Sequence, residues 1–418
     1  MAARTDHPSG RRSTAVDTVL ARLGREAGRD RAGSEKVPIG SCLGRIPANE
    51  IRARRTLPPH DQSTMDGYAV FSSAPMRQPP LAPFLLRVVG RSNPGDDVRQ
   101  IPPVRRGTAV EVLTGAPMPV GANSIVRSED CRRAGNQIGI HNRPLPGRDI
   151  ARRGEDFRPG QRIILAGTPI RPWHIAAFVA NEITVLRVVR RPLVGVLSTG
   201  DELVPAGTSA RTVGVLDTTR PLVLRMLSEL GVPTTDLGSV RDREGSIRRV
   251  VRRGIATCDV VITTGGSSEG PRDLVPRAVD GLGGVRWLAS RLRLRPGSAT
   301  GVAVVRHRPV FVLPGPPVAA FAAFVSVVEP YLRARGGVSN STPAPYAARL
   351  VRGIRHSRGV REVVRVRLHR RRRGPWVFLG ERHGSSRLSS LTEAAGFVVL
   401  DERHGDYRRG EAVEIRPF

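Results

Sequence analysis

Lysine is almost missing. Lys36 is the only one in 418 residues, although arginine recurs throughout and the formal net charge is +30. The arginines are dispersed through all segments rather than gathered in one patch. The densest run, His369 to Arg373, stands before Gly374-Pro375 and reads as a solvated turn. Aromatic residues are scarce too, at 4%. The cores must then be mostly Val, Leu, Ile and Ala, and few rings are available to stack on bases. With no zinc-finger or RNP-type motif, nucleic acid has little support as a partner. A generally basic surface accounts for most of the arginines, though such a charge also attracts small polyanions.

Cysteine is rare as well. Cys42, Cys131 and Cys258 are far apart and odd in number. They fit neither a disulfide framework nor a Cys-x-x-Cys metal site, which points to a reducing compartment. The N-terminal residues lack the apolar core of a signal peptide. The longest apolar run, residues 318–328, is too short and too Pro-bounded to span a bilayer. The expectation is a cytoplasmic protein with no membrane partner.

What is present is length and 39% hydrophobic residues, enough for three or four cores. Residues 14–23 carry apolar positions at helical spacing, followed by a Gly/Arg-rich linker. Residues 37–51 suggest a strand and a short helix. Between Met65 and Arg148, short apolar runs at 85–89, 109–113, 124–126 and 138–140 are separated by Pro and Gly, the pattern of an all-β segment. A helix is expected over 172–181. From Arg191 strands and helices alternate: strands at 193–197, 234–240, 259–262 and 310–313, helices at 220–230 and 244–256, and a long helix after 317. That alternation predicts a mostly parallel sheet. From about Pro343 short strands return, as in a small β-barrel-like module.

In open α/β sheets, ligands bind outside the carboxyl ends of the strands. Three glycine-containing loops fall there: Ser198-Thr-Gly-Asp-Glu202, Thr263-Thr-Gly-Gly-Ser-Ser-Glu-Gly270 and Pro314-Gly-Pro-Pro317. Glycine lets backbone N–H groups approach an anion. Each loop alone is a weak signal; three on successive strands are a stronger one. Asp201, Glu202, Asp242 and Asp273 lie among them, and Mg²⁺ commonly binds through one or two carboxylates plus substrate phosphates. Taken singly, Asp201 and Asp242 read equally well as caps or turn residues. Alternation puts Arg291, Arg293 and Arg295 on one face of an extended stretch, which is either an exposed strand face or a phosphate clamp. Pattern alone gives a phosphate-bearing ligand with a divalent metal on an α/β domain, and does not name the reaction.

Leu57-Pro-Pro-His-Asp-Gln-Ser-Thr-Met-Asp-Gly-Tyr-Ala-Val70 resembles the signature of the molybdopterin molybdenumtransferases, the MoeA and gephyrin E-domain family. So do Leu113-Thr-Gly-Ala-Pro-Met-Pro-Val-Gly-Ala122, Arg153-Gly-Glu-Asp156 and His383-Gly-Ser-Ser-Arg-Leu-Ser-Ser-Leu391, and the α/β loops match in order and spacing. The resemblance implies a multidomain α/β plus β protein. Its expected parts are a disordered tail (1–12), a discontinuous linker domain (13–60 and 149–189), a β-rich insert (61–148), a three-layer α/β catalytic domain (190–337) and a C-terminal β-barrel-like domain (342–418). It implies insertion of molybdate into adenylylated molybdopterin with Mg²⁺-dependent release of AMP, by a homodimer with a shared active site. A molybdopterin adenylyltransferase would act upstream, and apo-molybdoenzymes or their chaperones downstream.

Carried over by motif, Asp66, Glu202, Asp242 and Asp273 are the expected catalytic residues, with Asp242 and Asp273 on the metal. Thr114, Asp156, Thr199, Gly200, Gly265, Gly266, Ser268, Arg291, Arg295, Pro314, Gly315, Pro317 and Ser385 are expected to bind substrate. For Asp66 the competing reading is an ordinary Asp-Gly turn. Several positions depart from the family pattern: Ala151, Thr219, Ser267, Glu269, Ser298, Ala299 and Pro316. Pro316 stands where the family has asparagine, which removes a side-chain donor and a backbone N–H from the oxyanion loop. The departures gather at the anion-binding edges, so a pterin-binding or scaffolding paralogue without turnover is the alternative, and tungstate an alternative oxyanion.

Overall fold

The computed structural model describes residues 13–29, 33–73, 83–142, 144–204, 214–267, 274–336, 344–371, 374–379 and 385–418. The tail expected to be disordered, residues 1–12, lies outside them.

One strand shows how the central layer is specified. All six residues of Val194–Thr199 are buried, and successive side chains point to opposite faces. Val194 and Val196 enter one core with Val260, Ile262, Phe311 and Leu313. Leu197 enters another, with Val261, Val310 and Val312. A strand apolar on both faces needs cover on both. The helices, in chain order, are α1 (Val16–Arg29), α2 (Pro172–Ala180), α3 (Thr219–Glu229), α4 (Glu244–Thr257), α5 (Val275–Asp280), α6 (Pro317–Ala323), α7 (Glu329–Arg335) and α8 (Ser389–Thr392). Helices α1, α3 and the α6–α7 rod cover the first face, and α4 and α5 the second. A π-helical turn, Phe324–Val328, joins α6 to α7. The rod, Pro317–Arg335, is long and apolar enough to cross a membrane, but most of it is buried in this core.

The sheet runs in the order Thr234–Val240, Val194–Thr199, Val260–Thr264, Arg308–Leu313, Gly301–Val305, Val285–Ala289. The first four strands are parallel. The last two extend it antiparallel. The hairpin between Gly301–Val305 and Arg308–Leu313 turns at Arg306 and His307, both at positive φ (49° and 69°). Two positive-φ residues give a turn whose twist matches the flanking strands.

The insert is a six-stranded sheet around two apolar clusters, one on Val110 and Ile125 and the other on Tyr68 and Ile138. The segments before and after it meet where Ser34–Pro38 pairs antiparallel with Val185–Val189, over a core containing Phe178, Leu186 and Val188. At the C-terminus, strands Arg361–Arg371, Gly374–Leu379, Tyr346–Leu350, Ala412–Pro417 and Gly396–Leu400 follow one another. The last then pairs back onto the first, so these five strands close into a barrel.

Helix α1 corrects the reading of the N-terminal segment. It continues through Gly24 to Arg29 where a linker was expected. Val16, Val19 and Leu23 are essentially inaccessible within the α/β core. Asp17 pairs with Arg361 (2.6 Å) and Arg403 (3.2 Å) of the barrel, and the Glu402 carboxylate accepts the Asp17 N–H (3.3 Å). Thr14 bridges to Leu292, and the next residues, Leu294–Arg295, pair in parallel with Arg361–Arg371. One short extended stretch thus joins the N-terminal segment, the α/β layer and the barrel.

Candidate active site

Three separate sequence motifs converge on the insert. The stretch around Gln62 and Ser63 pairs with Ile150 and Ala151. On its other side, Gly115 donates to the Ser63 carbonyl (2.7 Å) and Ser63 to that of Ala116 (2.9 Å). The Leu57 carbonyl accepts the Asp156 N–H (3.0 Å), and that of Pro58 the Gly154 N–H (3.0 Å). Asp61 accepts from the Arg153 N–H (2.8 Å) and the Arg152 guanidinium (2.7 Å). Burial works against the Asp61 charge, but these donors outweigh it and its carboxyl titrates below the usual range.

Asp66 stands at the centre of this junction. Its Oδ1 accepts from the Thr114 N–H (2.7 Å) and from the Thr114 hydroxyl (2.8 Å). Its own carbonyl accepts the Ser128 N–H (3.1 Å). The Thr114 N–H, then the hydroxyl, hold the carboxyl below its ordinary range, so it is ionised at neutral pH. The Asp-Gly pair is not a hairpin turn. Gly67 opens strand Gly67–Val70, and a Cβ there would collide with the Val126 carbonyl of the neighbouring strand. Asp66, Thr114 and Asp156 are all solvent-exposed.

The α/β half of the site is built from backbone. Gly265 has φ +87°, and a side chain there would run into the Thr199 carbonyl. At Gly266, a Cβ would lie 2.9 Å from the Thr199 hydroxyl. Gly265 donates to the Leu313 carbonyl (3.1 Å) and packs on Gly315. The loops after three adjacent strands therefore meet at Thr199, Gly265 and Gly315. The Thr199 hydroxyl is buried, with no hydrogen-bond partner among the described residues. A ligand seated at this junction could supply that hydroxyl with a partner. The Glu202 carboxylate folds back over Gly200. The Asp242 N–H donates to Asp201 Oδ1 (3.2 Å), tying the loops after the first two parallel strands together.

No three Asp, Glu, His or Cys side chains gather into a metal cage among the described residues. Asp201 and Asp242 are neighbours through the Asp242 main chain, one carboxylate on each of two adjoining loops. Mg²⁺ commonly binds through one or two carboxylates with substrate phosphates supplying the remaining ligands. Ser268 and Asp273 lie outside the described residues.

A second network is one that the sequence reading missed. Asp217, buried between strand and helix, accepts from the Ser198 hydroxyl (2.6 Å) and from Arg220 Nε (2.9 Å) and N–H (3.2 Å). Arg220 also pairs with Asp236. The Thr219 hydroxyl donates to the Gly315 carbonyl (2.5 Å), fastening α3 to the proline loop. The available signal was an Asp just before a helix with an Arg three residues on, which is the pattern of an ordinary cap.

The proline loop itself has few donors left. Pro314, Pro316 and Pro317 have no N–H. Those of Val318 and Ala319, at the head of α6, go to the Ser385 carbonyl (3.1 and 3.3 Å). Ser385 thus reaches the site through its main chain, and Gly315 supplies the remaining N–H. Alternation along residues 291–295 is as expected: Leu292 and Leu294 are buried, Arg293 and Arg295 exposed, Arg291 half-buried. Arg291 Nη2 lies 3.5 Å from the Ser298 hydroxyl.

Comparison with known proteins agrees along the chain. Residues 12–181 match the MoeA N-terminal region (domain I and II), 195–334 a probable molybdopterin binding domain, and 347–418 the MoeA C-terminal region (domain IV). A molybdopterin molybdenumtransferase of Haemophilus influenzae is 27% identical, covering 92% of this chain and 94% of that one. That of Synechococcus elongatus is 29% identical over 97% and 98%. The crystal structure of a molybdopterin biosynthesis MoeA protein from Pyrococcus horikoshii OT3 superposes with a TM-score of 0.80 at 26% identity, covering 97% of this chain and all of that one. Signature motifs, domain order and fold point to one conclusion: the chain belongs to the MoeA family.

Proposed function

We propose that this chain inserts molybdenum, supplied as molybdate, into adenylylated molybdopterin, with Mg²⁺-dependent cleavage of the pyrophosphate link and release of AMP. The coarser part, a transferase of molybdenum-cofactor biosynthesis, goes with the family and with the names of the relatives. The observation that carries the finer reading is the junction of Thr199, Gly265 and Gly315. It combines close-approach glycines with a buried threonine hydroxyl at the carboxyl ends of parallel strands. Backbone approach of that kind suits a pyrophosphate.

In this reading the glycine loops hold the phosphates, and Asp242 with Asp201 or Asp273 would hold Mg²⁺. Bound there, the ion would neutralise phosphate charge. Asp66, already ionised, can accept a proton or position a cationic group but cannot donate one. It sits on the insert, on a different sheet from the glycine loops, so in a homodimer one protomer's insert would complete its partner's α/β site. Arg291 and Arg295 supply cationic forks for an anion. The molybdopterin adenylyltransferase reaction would provide the substrate, and apo-molybdoenzymes or their chaperones, in the cytoplasm, would take the product.

Purified protein given adenylylated molybdopterin, Mg²⁺ and molybdate should release AMP and yield cofactor that reconstitutes an apo-molybdoenzyme. Binding of the adenylylated substrate without AMP release at any molybdate concentration would favour the scaffolding alternative. The donor-poor proline loop is the feature that keeps that alternative open.

A further inference from the structure

A groove of about 1080 Å³ runs between the α/β layer and the C-terminal barrel. Three rings line it. Phe321 and Phe397 meet edge to face, with centroids 5.2 Å apart, and Phe418 lies 5.6 and 5.8 Å from them. Leu222 and Met226 of α3 and Leu388 beside α8 also line it. Phe418 is 53% exposed and Leu388 41%. None of the candidate active-site residues lines the groove. It follows α3 and the α6–α7 rod away from the ends that carry the site.

Its charged lining is three arginines, Arg225, Arg333 and Arg416, and two glutamates, Glu229 and Glu329. Glu329 at the rim is taken up by Arg333 (2.8 Å), and Glu229 is likewise engaged. Arg225 and Arg416 also line it, and neither forms an ion pair among the described residues. Three turns of helix, with side chains, occupy on the order of 1000 Å³. We propose that the groove docks an acidic amphipathic helix of a partner protein, its apolar face on the phenylalanines and its carboxylates on Arg225 and Arg416. This is the helix-in-groove mode of recognition, in which apolar anchors give affinity and rim charges give orientation. The inference is independent of the reaction proposed above.

The test uses the full chain and a fluorescein-labelled peptide of about fourteen residues, with Leu and Phe on one helical face and Glu on the other. A second peptide carries Lys in place of Glu. Fluorescence anisotropy is read at about 150 mM salt, where distant charges are screened. The acidic peptide should bind saturably and the basic one should not. Arg225→Glu with Arg416→Glu should weaken binding about tenfold or more, and Met226→Lys should do the same without changing the rim. Arg249→Glu with Arg252→Glu makes an equal charge change on α4, against the other face of the sheet, and should leave the affinity unchanged. The proposal falls if the acidic peptide does not bind, if the basic peptide binds as well, or if both double variants weaken binding equally. The last result would mean general attraction to a chain of net charge +30. It also falls if the Arg225/Arg416 variant sediments as a smaller species than the parent, because the groove would then be a contact between copies of this chain.

Discussion

The two halves of the candidate site are made in different ways. On the insert, the Asp66 junction is built from side-chain chemistry: a carboxylate, a hydroxyl and two nearby arginines, all close to water. On the α/β layer, the Thr199–Gly265–Gly315 junction is built from what is missing, namely the side chains that would collide. The first can lose a functional group and keep its shape. The second loses its shape as soon as an atom is added. The halves should therefore respond oppositely to conservative substitution.

Gly265→Ala tests the contrast most severely. The added methyl meets the Thr199 carbonyl at a positive φ. Destabilisation of about 2–4 kcal/mol in denaturant unfolding is expected, with turnover falling about a hundredfold or more from misplaced loops. Full stability would mean that the junction is pliable and the contrast wrong. Asp66→Asn should do the reverse. The melting temperature should hardly move, while kcat for AMP release falls about a hundredfold or more. A large loss of stability would make Asp66 structural. Thr219→Val removes one hydrogen bond to the proline loop. It should cost about 1 kcal/mol and act on the apparent KM for molybdate more than on stability.

Thr114→Val should give the smallest effect. In the parent, Asp66 is held below the usual carboxylate range, so its ionised form is lost only when pH falls through that lowered value. Removing the hydroxyl moves the value back up, and the acid limb of the pH–rate profile should shift to higher pH. An unmoved limb would mean that Asp66 does not control it.

The same contrast explains what could be read from sequence. Asp66 and Thr114 were legible through the family resemblance of contiguous motifs, Leu57 to Val70 above all, whereas Asp-Gly by itself reads as a turn. The glycine loops were legible because apolar strands ended in glycine. Asp217 was not, because a carboxylate before a helix looks the same whether it caps the helix or anchors a network. The two antiparallel strands of the sheet were hidden for a related reason. The turn after Gly301–Val305 uses Arg306 and His307 where Asn-Gly would have announced it. Barrel closure depends on pairing between residues 361–371 and 396–400, which no local pattern encodes.

The docking of α1 also bears on how the chain is made. Some 385 residues separate Asp17 from the Glu402 carboxylate that accepts its N–H. At about 5–20 residues per second, the ribosome needs roughly 20–80 s to synthesise that partner after the helix emerges. Val16, Val19 and Leu23, inaccessible in the finished protein, pack with Val285–Ala289 and the Phe324–Arg335 part of the rod, so they form an apolar stripe on the nascent helix until those residues follow, and the contacts with the barrel close last. An element made early is thus secured late, and its exposed stripe is a natural client for a chaperone acting during translation.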